Sequence, residues 1–223
     1  MPRTRAEHPP HQARSRETLR RLLDAAELMM LKHGPDGATL PRIAKHAQVS
    51  PGTVYRRFRD KDALMAAVFR RFANRSSAAT AAGFDPDAVR AIGLVHFSIN
   101  VVQGMVQGFR ANAALSRAAM QYAERHPTLD FIQKTNASEA GSLQRMVDTF
   151  LIWRDEIKHP DPEHAIRFAF LVVATILRDL IIFDRARMMS VVVPVNDEML
   201  KEELPRVFLR CLGIVDGGEK FDV

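Results

Sequence analysis

Residues 39–64 read Thr39-Leu-Pro-Arg-Ile-Ala-Lys-His-Ala-Gln-Val-Ser-Pro-Gly-Thr-Val-Tyr-Arg-Arg-Phe-Arg-Asp-Lys-Asp-Ala-Leu64. This stretch decides the fold of the first third of the chain. Thr39 is placed to cap a short helix reaching about Ala47, with Pro41 in its first turn, where a missing N–H costs little. Ser50 is placed to cap a second, with Pro51 at its first helical position and Phe58 near its end. Asp60 is placed to cap a third, longer helix from Lys61 to about Ser77, with Leu64, Val68 and Phe72 as its inner stripe. Two short helices that cross closely need small residues at the contact, which Ala44 and Ala47 supply. The turn between them needs an apolar plug, which Val49 supplies. Val54 and Phe58, four apart, give the second helix its inner face. The pattern is that of a helix-turn-helix.

The outer face of the second helix then carries Ser50, Pro51, Gly52, Thr53, Tyr55 and Arg56. Backbone N–H groups and the helix dipole favour a phosphate at such a start, and Gly52 permits a close approach. Thr53 and Arg56 have the reach and the donors for base edges, arginine preferring guanine. The Tyr55 hydroxyl suits a phosphate, which fixes register without reading sequence. Lys61, opening the next helix, adds a second phosphate contact. Arg57 and Arg59 read equally well as solvated charges or as contacts.

The matching residues Thr39, Ile43-Ala44, Val49-Ser50-Pro51-Gly52-Thr53-Val54-Tyr55, Phe58, Lys61 and Leu64 closely resemble the N-terminal DNA-binding domain of the TetR family of bacterial transcriptional regulators. The resemblance extends over about residues 16–75. It implies an all-α protein with an N-terminal helix-turn-helix domain and a larger helical domain for effector binding and dimerisation. The chain departs from the family pattern at Gln48, where glycine is usual; glutamine takes a left-handed conformation only with strain. It departs again at Leu40 and Pro41, where polar residues are frequent. That shifts base contacts from this helix onto Arg42, beside Thr39.

Working outward, Ser15–His33 reads as the first helix, with Leu19, Leu22, Leu23, Ala26 and Met30 on one stripe and a stop at Gly34-Pro35. Residues 1–14, rich in Pro, Arg and His, read as a disordered basic arm. The DNA-binding domain is expected over 15–80, with a seam at Ser76–Gly83, and the effector and dimerisation domain over 84–215. There the pattern predicts helices at about 86–109, 111–126, 128–153, 162–188 and 197–212, with Ser190–Val195 an extended loop. Gly104-x-x-x-Gly108 reads as local helix packing.

Charge is divided in the same way. Residues 1–75 carry 16 Lys+Arg against 7 Asp+Glu, a net of +9, while the remainder is at −3. Only the first third is suited to a polyanion. A single cysteine, Cys211, excludes an internal disulfide framework and points to a reducing, cytoplasmic setting. No P-loop, dinucleotide fingerprint or nucleophile elbow occurs, so neither catalysis nor a cofactor is expected. His159 and His164 are expected on different sides of a helix, which argues against a metal site. No segment suits a membrane.

Pro162–Met188 is apolar on nearly all sides. Ile166, Phe170, Val173, Leu177 and Leu180 form one stripe, and Phe168, Leu171, Val172, Thr175 and Ile182 cover others. Such a helix is buried all round. A second subunit is one way to bury it, with Val207, Phe208, Cys211 and Leu212 on the last helix adding to the surface. The resemblance implies a homodimer through these last two helices, presenting its recognition helices to half-sites roughly 34 Å apart. Among the large side chains of the middle helices, Met105, Phe109, Met120, Phe150 and Trp153 are the candidate lining for a small apolar effector. The expected function is a ligand-responsive repressor on double-stranded operator DNA. An activator, or a helical small-molecule-binding or enzymatic protein with a vestigial head, remains the alternative.

Overall fold

The structure is a computed structural model that describes residues 11–81, 85–125, 130–185, 191 and 195–214. Its helices are α1 (His11–Gly37), α2 (Leu40–His46), α3 (Pro51–Arg57), α4 (Lys61–Ala81), α5 (Pro86–Ile92), α6 (Leu94–Arg125), α7 (Asp130–Phe150), α8 (Pro162–Leu177) and α9 (Asp197–Cys211). No strand occurs among the described residues. No helix among them is long and apolar enough to cross a membrane. The chain divides into two compact units. One runs to Ala73 and includes Ala118–Ile132; the other holds Asn74–Arg117 and the chain from Gln133 on.

In the first unit, Leu22, Ala26 and Met30 of α1, Ile43 and Ala44 of α2, Val54 of α3 and Leu64 and Val68 of α4 are all buried. Helix α1 begins at His11, four residues before Ser15, so the segment 11–14 is helical; the rest of the expected arm lies outside the described residues. The predicted stop is where the backbone breaks, at Gly34 with φ 70°, a conformation that glycine takes without steric cost. On α4 the buried face is wider than the predicted stripe. Met65 and Phe69 are buried while Phe72 is only half-buried. Phe69 packs its ring 5.6 Å from that of Tyr122, so the end of α6 supplies a covering surface that local spacing does not reveal.

The second unit is built on an aromatic nucleus. Phe150 has its ring 5.1 Å from Phe97, 5.3 Å from Phe208 and 5.7 Å from Phe170. Helices α5, α6, α8 and α9 contribute aliphatic residues around it, among them Val89, Val106, Val173 and Leu204. Three predicted boundaries differ. The break expected near Ala111 falls at Gly93 (φ 79°), and α6 continues to Arg125. The helix from 130 tightens into a 3-10 turn at Leu151–Trp153. Helix α8 widens into a π-turn at Arg178–Ile182 instead of running to Met188. The Arg117 guanidinium donates to the Ile181 and Ile182 carbonyls there, satisfying acceptors that end the helix. Most of Ser190–Val195 lies outside the described residues.

Gly104 and Gly108 are exposed, and a Cβ at either would meet no described atom within 4 Å. The expected close packing of this pair is therefore not found. Gly213 is a glycine the fold does require. It closes α9 at φ 77°. Its own N–H donates to Arg210 (3.0 Å) and the next, that of Ile214, to Leu209 (3.0 Å). The Leu212 carbonyl receives the N–H groups of Lys158 and His159, so a Cβ at Gly213 would sit 2.9 Å from His159 N. Gly213→Ala is expected to cost about 2 kcal/mol, a fall in Tm of roughly 4–8 °C in a thermal melt.

Candidate nucleic-acid interface

Helix α3 has seven residues, and its orientation is set at both ends. Before it, α2 closes in a Schellman motif. The Val49 N–H donates to the Ala44 carbonyl (3.0 Å) and the Gln48 N–H to that of Lys45 (3.2 Å). Gln48 takes the left-handed φ of 54°, at the place where the resembled family usually has glycine. Ser50 then caps α3, its Oγ accepting from the Thr53 N–H at 3.3 Å. After it, Arg57 donates to both the carbonyl and the Oγ of Ser15 at 2.6 Å. Arg57 is thus a brace between α3 and α1. Arg59 is 90% exposed and ion-paired to Asp60.

Val54 is fully buried and Phe58 nearly so, and the opposite face looks outward. Pro51, Gly52, Tyr55 and Arg56 are exposed and Thr53 is half-buried. Ser50 Oγ and Thr53 Oγ1 share a hydrogen bond of 2.9 Å, and Arg56 donates to Thr53 Oγ1 at 3.4 Å. These three residues, three apart, form one polar row. Tyr55 stands 56% exposed beside it. A Cβ on Gly52 would meet only Ser50 Oγ, at 4.0 Å. Nothing described in the fold therefore requires glycine at that position.

The flanking cations are anchored to backbone. Arg42 donates to the Gly37 carbonyl (3.2 Å) and Lys61 to that of Asp36 (3.3 Å). Thr39 is exposed, and its side chain makes no cap bond to α2, contrary to expectation. Pro41 occupies the second helical position and removes one of the two N–H groups such a cap would use. Asp60 caps α4 as expected, its Oδ1 accepting from Ala63 N at 2.8 Å. Two contacts had no local sequence signal. The Tyr122 hydroxyl donates to Asp62, and Arg125 pairs with Asp36. Desolvation, with the Asp62 carboxylate beside it, pushes the Tyr122 phenol far above its ordinary value, so it remains a donor.

The candidate effector residues are not brought together as one set. Phe150 and Trp153 are buried in the aromatic nucleus, with Met105 and Phe109 half-buried against it. Met120 belongs to the first unit and is half-buried. His159 and His164 approach more closely than expected, ring centroids 6.1 Å apart, because His159 precedes α8 instead of lying on it. The Asp161 N–H occupies His159 Nδ1, and no group of three or more metal-ligating side chains forms among the described residues.

A compact helical head that turns a short, capped, polar helix outward is the arrangement of the helix-turn-helix class. Residues 22–68 match the model of the bacterial regulatory proteins of the tetR family. This segment, which lies within the first unit, is thus similar to the DNA-binding part of that family. No curated protein matches the chain in sequence. Among solved structures, a protein assigned to the TetR family from Mesorhizobium loti is similar with a TM-score of 0.64 and 18% identity, over 90% of this chain and 98% of that one. The fatty acid degradation regulator FadR from Bacillus halodurans is similar at 0.58 and 18%, over 90% and 99%. FadR from Bacillus subtilis, in complex with stearoyl-CoA, is similar at 0.59 and 17%, over 88% and 99%. At these identities the likeness is one of fold.

The Asp60 carboxyl is held below its usual range, first by the Ala63 N–H and then by Arg59. The unfolded chain therefore binds this proton more readily, and the stabilisation is present above the ordinary carboxylate value near 3.8 and lost as pH falls through the lower, folded one. Asp60→Asn retains a capping oxygen without the charge. Thermal melts of the two proteins are expected to separate above pH 4 and converge in stronger acid.

Proposed function

We propose that this chain is a homodimeric transcriptional repressor that binds operator DNA through α3 and its flanks and is released by a small apolar effector. The observation that carries the reading is the polar row Ser50–Thr53–Arg56 with exposed Tyr55 on the face of α3 opposite buried Val54. Gly52 supports it, since the fold leaves its Cβ position open and a closely approaching ligand backbone would not. In this reading Ser50, Pro51, Gly52 and Tyr55 face phosphate, and Thr53 and Arg56 face base edges. Thr39 and Arg42 flank from α2, and Lys61 adds a phosphate contact from α4.

Dimerisation is supported by α8, where Phe168 is 49% and Leu171 60% exposed although the helix is otherwise deeply packed. His164 stacks on Phe168 at 6.2 Å, extending the patch. For the effector, Met105 and Phe109 beside the Phe97–Phe150–Trp153 nucleus are the first residues to vary, then Met120. The stearoyl-CoA held by FadR from Bacillus subtilis, a ligand with a long apolar chain, fits an effector of this kind. Release requires that the effector bind the DNA-free form more tightly than the DNA-bound one. A cytoplasmic location follows from this function.

Gel shifts on the DNA upstream of the chain's own gene are expected to weaken with Tyr55→Phe, Arg56→Ala and Lys61→Ala. Loss of the Lys61 phosphate contact should flatten log K against log salt by about 0.9, and Tyr55→Phe should leave that slope unchanged. Wild-type binding by all three would dismiss this face. Separately, Leu171→Asp is expected to halve the mass seen by sedimentation velocity while circular dichroism stays constant, because the side chain is exposed in the single chain.

A further inference from the structure

We propose that Arg21, on α1, is a positioning residue for DNA recognition: its guanidinium holds the left-handed turn at Gln48 and so fixes the direction in which α3 leaves it. The inference rests on the reading of α3 as the DNA-facing helix. The Schellman closure of α2 uses the carbonyls of Ala44 and Lys45, with Ile43 taking the Ala47 N–H. It leaves the Ala47 and Gln48 carbonyls without a backbone donor among the described residues. Arg21 donates to both, at 3.2 Å for Gln48, with Gln48 Oε1 a further 3.5 Å neighbour.

Three observations separate this from an ordinary surface charge. Arg21 is half-buried and forms no ion pair among the described residues; Glu17, one turn earlier on α1, lies within its field, but the Arg21 hydrogen bonds all go to Ala47 and Gln48 at the carbonyl end of α2, where the helix dipole is negative. The turn it holds is strained: a residue with a Cβ sits at φ 54°, where glycine would be free of the penalty. Between the Gln48 carbonyl and the Ser50 cap lies only Val49, so a rotation at Gln48 passes directly into the axis of α3. A non-glycine residue in that conformation carries a steric cost, and the Arg21 hydrogen bonds, from 27 residues away, offset it.

The test combines Arg21→Met, which keeps the apolar stem and removes the donors, with Gln48→Gly, singly and together. The probes are a duplex that the wild-type protein selects from a random-sequence pool and a duplex of scrambled sequence. Arg21→Met is expected to weaken the selected duplex about tenfold and the scrambled one less than about twofold, with an unchanged salt slope. Gln48→Gly alone stays within about twofold, and in the double variant it recovers about threefold of the loss, because glycine takes the left-handed φ without a clamp. Amide exchange at Val49 and Thr53, read without DNA, accelerates in Arg21→Met and returns towards the wild-type rate in the double variant. A slope lowered by about 0.9 would make Arg21 a phosphate ligand and overturn the proposal. So would wild-type discrimination by Arg21→Met, or a double variant no better than the single one. If the wild type selects no duplex, the DNA reading itself fails; unchanged exchange at Val49 and Thr53 then sinks the clamp as well.

Discussion

A seven-residue helix cannot hold its own direction. Isolated helices of that length are unstable in water, and α3 has only Val54 fully buried among its residues. Its aim is imposed from outside: by the left-handed turn at Gln48, the Ser50 cap, the Phe58 side chain in the core and the Arg57 brace to Ser15. The rest of the head serves that constraint. Helix α1 is tied to both ends of α3, by its own Arg21 at the turn before it and by Arg57 of α3 reaching back to Ser15, and α4 starts on the Asp60 cap with Lys61 as its first residue.

The larger unit solves a different problem. Phe97, Phe150, Trp153, Phe170 and Phe208 meet in tilted and edge-on pairs, which aromatic rings prefer to face-to-face stacking. Helices that bring such rings to one point bury a large apolar area around Phe150. They leave Met105 and Phe109, half-buried, at its margin. Helix α8 belongs to this nucleus on one side and shows Phe168 and Leu171 on the other. It is buried on one face only in the single chain, which is where the all-round apolar reading of its sequence and the structure differ.

Most of the head was legible because its signals are local. Ser50 and Asp60 cap where their position before a helical run says they should, and Val54 and Phe58 turn inward because they lie four apart. The left-handed Gln48 was signalled by the resemblance, which has glycine at that place. Boundaries in the larger unit were less legible. Gly93, not the stretch near Ala111, breaks the chain before α6, and a π-turn ends α8 where the apolar pattern runs on unbroken.

By itself the sequence determined the helical class, the short helices of the head, which face of α3 is inward and where charge is concentrated, because capping, periodicity and composition act within a few residues. Only the tertiary structure decided the partners of the long cations and of Tyr122. Arg21 on a turn 27 residues away, Arg57 on Ser15 and Tyr122 on Asp62 are set by which helix ends the packing brings side by side. A hydrogen bond over such a separation leaves no period in the chain to read.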